Sequence, residues 1–144
     1  MTNPGTDKIT VECLPKLLEN DTKVKVAGVD ADGLLRGKLI SKNKFLDIAV
    51  KGFSFTSVLF GWDIHDQIYP ADLKIGSAAN GAYDYLAYPD LSSFRRIPWE
   101  CNVPFFLVNF FDPSTSMPVS ACPRNLLKAT MDKMEEIGLS AMAG

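Results

Sequence analysis

Between Lys23 and Ile40 two strand-like runs meet at Asp32-Gly33, and no other stretch restricts the fold of this chain as tightly. An Asp-Gly pair accepts the positive φ angles of a tight hairpin turn, which suits the twist of the strands it joins. With these two residues in the turn, Ala31 faces Leu34, Val26 opposes Leu39, Gly28 opposes Gly37 and Asp30 opposes Leu35. That register predicts an apolar face of Val24, Val26, Leu35 and Leu39, and a basic face of Lys23, Lys25, Arg36 and Lys38. The Gly28/Gly37 pair leaves two readings open: a ring or backbone packed close against the sheet, or a bulge without a partner.

The residues after the hairpin continue the pattern. Ser41 is placed to cap a helix from Lys42 to about Lys51, with Phe45, Ile48 and Ala49 as its buried stripe and Gly52 as its stop. A hairpin followed by a helix is the opening of a β-grasp. Phe53 to Phe60 reads as a third strand, followed by Gly61-Trp62-Asp63-Ile64-His65-Asp66 and a loop from Gln67 to Ala82. Tyr83 to Tyr88 and Ser92 to Trp99 read as short strands around Pro89-Asp90. Val103 to Phe111, apolar at nearly every position, reads as a strand covered on both faces. Its exception, Asn109, is either a ligand contact or a structural hydrogen bond.

Ahead of the hairpin, Val11, Leu14, Leu17 and Leu18 predict a short helix that begins or kinks near Pro15. At the other end, a helix from Pro123 to just before Gly138 carries Leu127, Thr130, Met131, Met134 and Ile137 on one side, a stripe of the kind that belongs to a core. The expected architecture is α+β: a mixed sheet of about five strands with a helix on one face, plus a C-terminal helix. The expected organisation is a lead-in and short helix over 1–22, a β-grasp over 23–113, and a linker with a further helix over 114–144.

Composition then removes several classes of function. At 144 residues, with 47 % hydrophobic and 22 % charged side chains, the chain is long and apolar enough to bury a core. A net charge of −2 gives no general field for nucleic acid, and the basic hairpin face lacks interleaved aromatics, so it reads as solvated or ion-paired. No apolar run approaches the ~20 residues a membrane helix needs, and the N-terminus lacks the basic and apolar parts of a signal peptide. Cys13, Cys101 and Cys122 are widely spaced and no nucleophile signature surrounds them; with His65 as the single histidine they form no zinc pattern. These features predict a cytoplasmic protein that binds neither metal nor membrane.

Three separated segments resemble one family, the glutamine synthetases and their glutamine synthetase-like relatives. Asp30-Ala31-Asp32-Gly33-Leu34-Leu35-Arg36-Gly37-Lys38 is similar to the family hairpin D-x-x-G-x-x-R-G-K. Pro89-Asp90-Leu91-Ser92-Ser93-Phe94-Arg95-Arg96-Ile97-Pro98-Trp99 resembles P-D-x-x-[ST]-x-R-x-x-P-W. Asn109-Phe110-Phe111-Asp112-Pro113, then Pro123-Arg124 with Leu127, resembles the D-x-x-D-P strand end and the P-R-x-x-L helix start, with Asn109 where the family often has aspartate. The segments occur in family order and the resemblance runs from roughly Lys23 onward.

The resemblance implies an N-terminal β-grasp domain and the start of a catalytic domain, in a ligase that joins glutamate to ammonia or a larger amine with ATP and Mg2+ or Mn2+. The family's paired metal-binding glutamates and its ATP segments have no counterpart in these residues. The chain is therefore expected to stop before the catalytic core, to be inactive alone, to bind no cofactor itself, and to assemble with itself or with full-length subunits. A non-catalytic β-grasp interaction module is the competing expectation. In ring-shaped members a β-grasp loop with the motif F-D-G-S-S reaches the adjacent subunit's active site, its aspartate helping to bind ammonium. Phe55-Thr56-Ser57-Val58-Leu59 corresponds here, with Thr56 in the aspartate position. The candidate substrate-binding residues are thus Thr56, Ser57 and Asp63. Asp63 is read either as the contact to a substituted amine or as the cap of a turn.

Overall fold

The computed structural model describes residues 8–71, 73–76 and 83–142. Residues 1–7, Asp72 and residues 77–82, which belong to the predicted lead-in and loop, lie outside the described residues. Pro15 sits in the first turn of a short helix, α1 (Leu14–Leu17), preceded by one 3-10 turn. Among the described residues six strands follow: β1 (Lys23–Val29), β2 (Leu35–Ser41), β3 (Phe53–Thr56), β4 (Asp84–Pro89), β5 (Arg95–Ile97) and β6 (Val103–Phe111). The helix α2 (Lys42–Lys51) connects β2 to β3, and α3 (Pro123–Glu136) follows β6.

The sheet order is β2-β1-β6-β4-β3. Among the described strands only β1 and β6 run parallel; β5 pairs antiparallel with the first part of β6 while β4 pairs with its last part. The apolar run from Val103 to Phe111 is thus the central strand, as its composition requires. On the inner face, α2 lies against the sheet. Its Ser41 cap accepts a hydrogen bond from Lys44 N at 3.3 Å, and Gly52 ends it at φ 72°. Phe45 and Ile48 are buried, and the Phe45 ring stacks on Phe106 at 4.6 Å, a contact worth about 0.5–1.5 kcal/mol beyond the area it buries.

The hairpin differs from the expectation by one residue of register. Val29 opposes Leu35, Gly28 opposes Arg36, Ala27 opposes Gly37 and Val26 opposes Lys38. The loop is three residues, Ala31-Asp32-Gly33, with Gly33 at φ 85° in the left-handed region. Asp30 selects this loop: its Oδ1 accepts from Asp32 N at 3.0 Å and Leu34 N at 2.8 Å, a local turn that a two-residue hairpin cannot form. The shift turns every β2 side chain over. Arg36, Lys38 and Ile40 join Val24 and Val26 on the inner face, and Leu35 and Leu39 join Lys25 on the outer one. The predicted basic face is therefore split, and the two glycines do not face each other. Gly28 does lie under a ring, because a Cβ there would run into Phe110.

Three further expectations are corrected. The third strand stops at Thr56, where its hydroxyl accepts from Val58 N and starts a 3-10 turn, Ser57–Gly61, that buries Leu59 and Phe60. The strand expected over Ser92 to Trp99 keeps only Arg95–Ile97, since Asp90 caps a turn before it and Pro98 opens another after it. The stripe on α3 is not core within the described residues: no α3 residue is buried, and Leu126 and Leu127 stay about 60 % exposed. The helix does stop as predicted, with Gly138 at φ 75° and Leu139 N bonded to Met134 O at 2.9 Å.

Candidate functional site

The hairpin tip is built around a buried charge. Asp30 is fully buried, and having spent Oδ1 on the turn it accepts Arg36 Nε on Oδ2 at 2.7 Å. The register puts Arg36 on the inner face, from where its guanidinium reaches the segment after β3. It donates to Asp63 O at 2.8 Å, pairs with Asp66 and lies 5.6 Å from the Trp62 ring centroid. A second tie joins the same segments: Tyr69 donates its hydroxyl to Asp32 Oδ2 at 2.8 Å. The bond to Asp30 and the neighbouring Asp66 raise the Arg36 pKa further, so the guanidinium stays charged at every accessible pH. The same kind of bond, to Asp32, raises the Tyr69 phenol.

The clamped segment presents the expected site residues. Thr56 ends β3, half-buried, and its hydroxyl caps the following turn. Ser57 is fully buried; its N–H donates to Tyr83 O at 2.9 Å, whereas its Oγ has no hydrogen-bond partner. Asp63 folds its own loop: Oδ1 accepts from His65 N at 2.8 Å and Gln67 N at 2.9 Å, which holds the carboxyl below its ordinary pKa. The turn-capping role of Asp63 is thus present in the geometry. The residues that sequence reasoning missed are Arg36 as the clamp, with Asp66 and Tyr69 as its companions. The spacing of Asp30, Gly33 and Arg36 in the hairpin motif was the signal that could have found the first.

A second knot gathers the other two motifs. Arg124, at the start of α3, donates to Asn109 Oδ1 at 3.1 Å and pairs with Asp90. Asn109 is therefore bonded within the fold, to a side chain. Asn125 adds a bond to Phe110 O at 2.6 Å, so the root of α3 is fixed to β6. Among the described residues no three His, Cys, Asp or Glu side chains converge in a way that could hold a metal ion.

A mixed, curled sheet with α2 across its inner face and a clamped loop beyond β3 defines an α+β domain of the β-grasp class. No protein-family profile matches the chain. It is 46 % identical over 113 residues to type-1 glutamine synthetase 2 of Dictyostelium discoideum, a match covering 78 % of this chain and 21 % of the relative. It is 30 % identical over 125 residues to the glutamate–isopropylamine ligase of a Pseudomonas species, covering 86 % of this chain and 27 % of that one. Among solved structures, the GmaS/ADP complex aligns at a TM-score of 0.64 and 23 % identity, over 86 % of this chain and 26 % of the other. A novel glutamine synthase homologue aligns at a TM-score of 0.67 and 19 % identity, over 81 % and 27 %; both structures show the shared fold. The chain belongs to the glutamine synthetase-like family and fits its N-terminal region. It spans about a fifth to a quarter of the length of these curated relatives.

Proposed function

We propose that this chain is the N-terminal portion of a glutamine synthetase-like ligase that joins glutamate to ammonia or a larger amine with ATP, and that it is inactive by itself. In this reading it works in an oligomer, with copies of itself or with full-length subunits, in the cytoplasm. The observation that carries the proposal is the clamp of Asp30, Arg36 and Asp63, which ties the segment after β3 to the hairpin at Asp63. A segment offered to a neighbouring subunit's active site must arrive preformed, because ordering it on contact would cost about 1–2 kcal/mol per residue.

In this reading the Thr56 hydroxyl and the Asp63 carboxylate are the groups suited to an amine, with the buried Ser57 next to Thr56 in the chain. Asp63, kept ionised by its two backbone donors, attracts a protonated amine. Thr56, a neutral hydroxyl in the position of the family's aspartate, attracts ammonium less strongly, which favours a substituted amine. The described residues do not fit a divalent cation: Asp30 and Asp66 are taken by Arg36, and no group of three acidic, His or Cys side chains converges among them. The chain's part is to position substrate, and the phosphoryl chemistry lies outside it.

Purified 144-residue chain, incubated with glutamate, ATP, Mg2+ and either ammonium or isopropylamine, should release no phosphate above the blank. Amine-dependent release would overturn the proposal. The reading as a non-catalytic interaction module is favoured by one observation, the exposed Leu35, Leu39 and Trp99 on the outer sheet face. Binding to a full-length relative without effect on that relative's activity would select it.

A further inference from the structure

Beside the loop between β6 and α3 lies a cavity of about 260 Å3, bordered by Tyr83, Tyr85, Asp112 and Ser120 and by the apolar Ile75 and Val119. Its described lining residues include none of Thr56, Ser57 and Asp63. The two phenol rings meet edge to face at 5.1 Å, and their hydroxyls share a hydrogen bond of 2.9 Å. Tyr85 is 3 % exposed and Tyr83 40 %, so the pair runs from the interior to the surface. Burial, the bond to Tyr83 and the charge of Asp112 push the Tyr85 phenol up, and it stays protonated at neutral pH.

Asp112 supplies the charge. Its Oδ1 accepts from Ser114 N at 2.8 Å and Thr115 N at 2.9 Å, which holds the carboxyl below its ordinary pKa, while Oδ2 accepts no bond from a described residue. Among the described residues no Lys or Arg lines the cavity, so nothing there neutralises this carboxylate. The loop that carries it is preformed. Asp112 N bonds Met117 O at 2.9 Å, Ser116 N bonds Asp112 O at 2.8 Å, and Val119 N bonds Phe110 O at 2.9 Å. A ligand entering such a site loses little to ordering the protein.

We propose that this cavity binds a small organic cation with a primary ammonium head: the head on Asp112 Oδ2 and the tyrosine and serine hydroxyls, the short apolar body against Ile75 and Val119. A primary ammonium carries three donors and no acceptor, and carboxylate and hydroxyl oxygens border the cavity to receive them. A guanidinium binds best to both oxygens of a carboxylate, and here Oδ1 is spent on the turn. A divalent cation needs more oxygen ligands than one free carboxylate oxygen and neutral hydroxyls provide. The volume lies below the roughly 300–1,000 Å3 of pockets for drug-sized ligands, so the body is a few carbons long. The proposal does not rest on the ligase reading, which the phosphate-release assay tests separately.

The probe is n-propylammonium chloride, titrated at neutral pH into the isotope-labelled chain and followed by NMR, with n-propanol and NaCl as controls. It should give saturable amide shifts in the millimolar range at Tyr83, Asp112, Thr115 and Val119 that neither control reproduces. Asp112→Asn keeps an oxygen for the Ser114 and Thr115 donors while removing the charge, and should raise the apparent Kd about tenfold or more, the scale of one charge-assisted bond. Tyr83→Phe keeps the ring and removes its hydroxyl, and should raise the Kd a few-fold. The absence of a saturable shift, equal shifts with n-propanol, or unchanged affinity in either variant would each overturn the proposal. Shifts confined to the stretch from Thr56 to Gln67 would also overturn it, and would instead support the amine contact at Asp63.

Discussion

Asp30 is the residue on which the hairpin and the candidate site both depend. It closes the turn with one oxygen and neutralises Arg36 with the other, while fully buried. Arg36→Met leaves that carboxylate without its cation and should cost about 3 kcal/mol, because breaking a buried pair from one side strands a charge. Urea unfolding measures this, and a loss below about 1 kcal/mol would mean the pair behaves like a surface contact. Asp30→Asn combined with Arg36→Met should cost less than the sum of the two single changes, the signature of residues that interact directly. The motif's spacing of Asp30, Gly33 and Arg36 was visible in the sequence. Its geometry was not, because Asp32-Gly33 fits a two-residue turn equally well, and the side-chain acceptance that favours a three-residue loop belongs to the residue before it. One misplaced residue was enough to move Leu35 and Leu39 from the core to the surface.

Elements whose signals are local were the most legible. α2 starts at Ser41 and stops at Gly52 as its cap and stop residues required. Ser41→Ala removes the bond from Lys44 N and should cost about 1 kcal/mol, seen as a lower midpoint in chemical denaturation with an unchanged slope. An unaltered midpoint would show that packing of Phe45 and Ile48 alone sets the helix start. Elements whose limits are tertiary were less legible. Phe53 to Phe60 alternates well enough for a strand, yet the chain turns at Ser57 to bury Leu59 and Phe60, and Gly61 passes so close to the Gly76 carbonyl that a Cβ would sit 2.5 Å from it. The α3 stripe has helical period but no surface of the described chain to cover it, and period alone does not say what a stripe will meet.

At the scale of the molecule, the ties that unite the motifs cross long stretches of chain, and this is why the candidate site was only half visible beforehand. Thr56, Ser57 and Asp63 could be placed by resemblance, whereas the Arg36 clamp on Asp63 and Asp66 and the Arg124 tie to Asp90 emerge only once the sheet is assembled. One such tie and two local turns hold carboxylates below their ordinary pKa. Asp21 is lowered by its bond to Arg96, which joins the turn before β1 to β5. Asp63 is lowered by the backbone of Gln67 and His65, and Asp112 by Thr115 and Ser114 in the turn before α3. A lowered folded pKa means that the unfolded chain takes up protons first as the pH falls. These groups therefore contribute stability that is full above the ordinary aspartate value of about 3.9 and disappears as the pH drops through their folded values. The melting temperature should be insensitive to these three groups between pH 7 and pH 5 and should decline below about pH 4. Arg96→Gln removes the main cause of the Asp21 shift, so the variant should be less stable at pH 7 and should lose less on acidification than the wild type. Parallel acid limbs for the two proteins in a thermal-denaturation series would show that the Asp21–Arg96 tie carries none of the acid sensitivity.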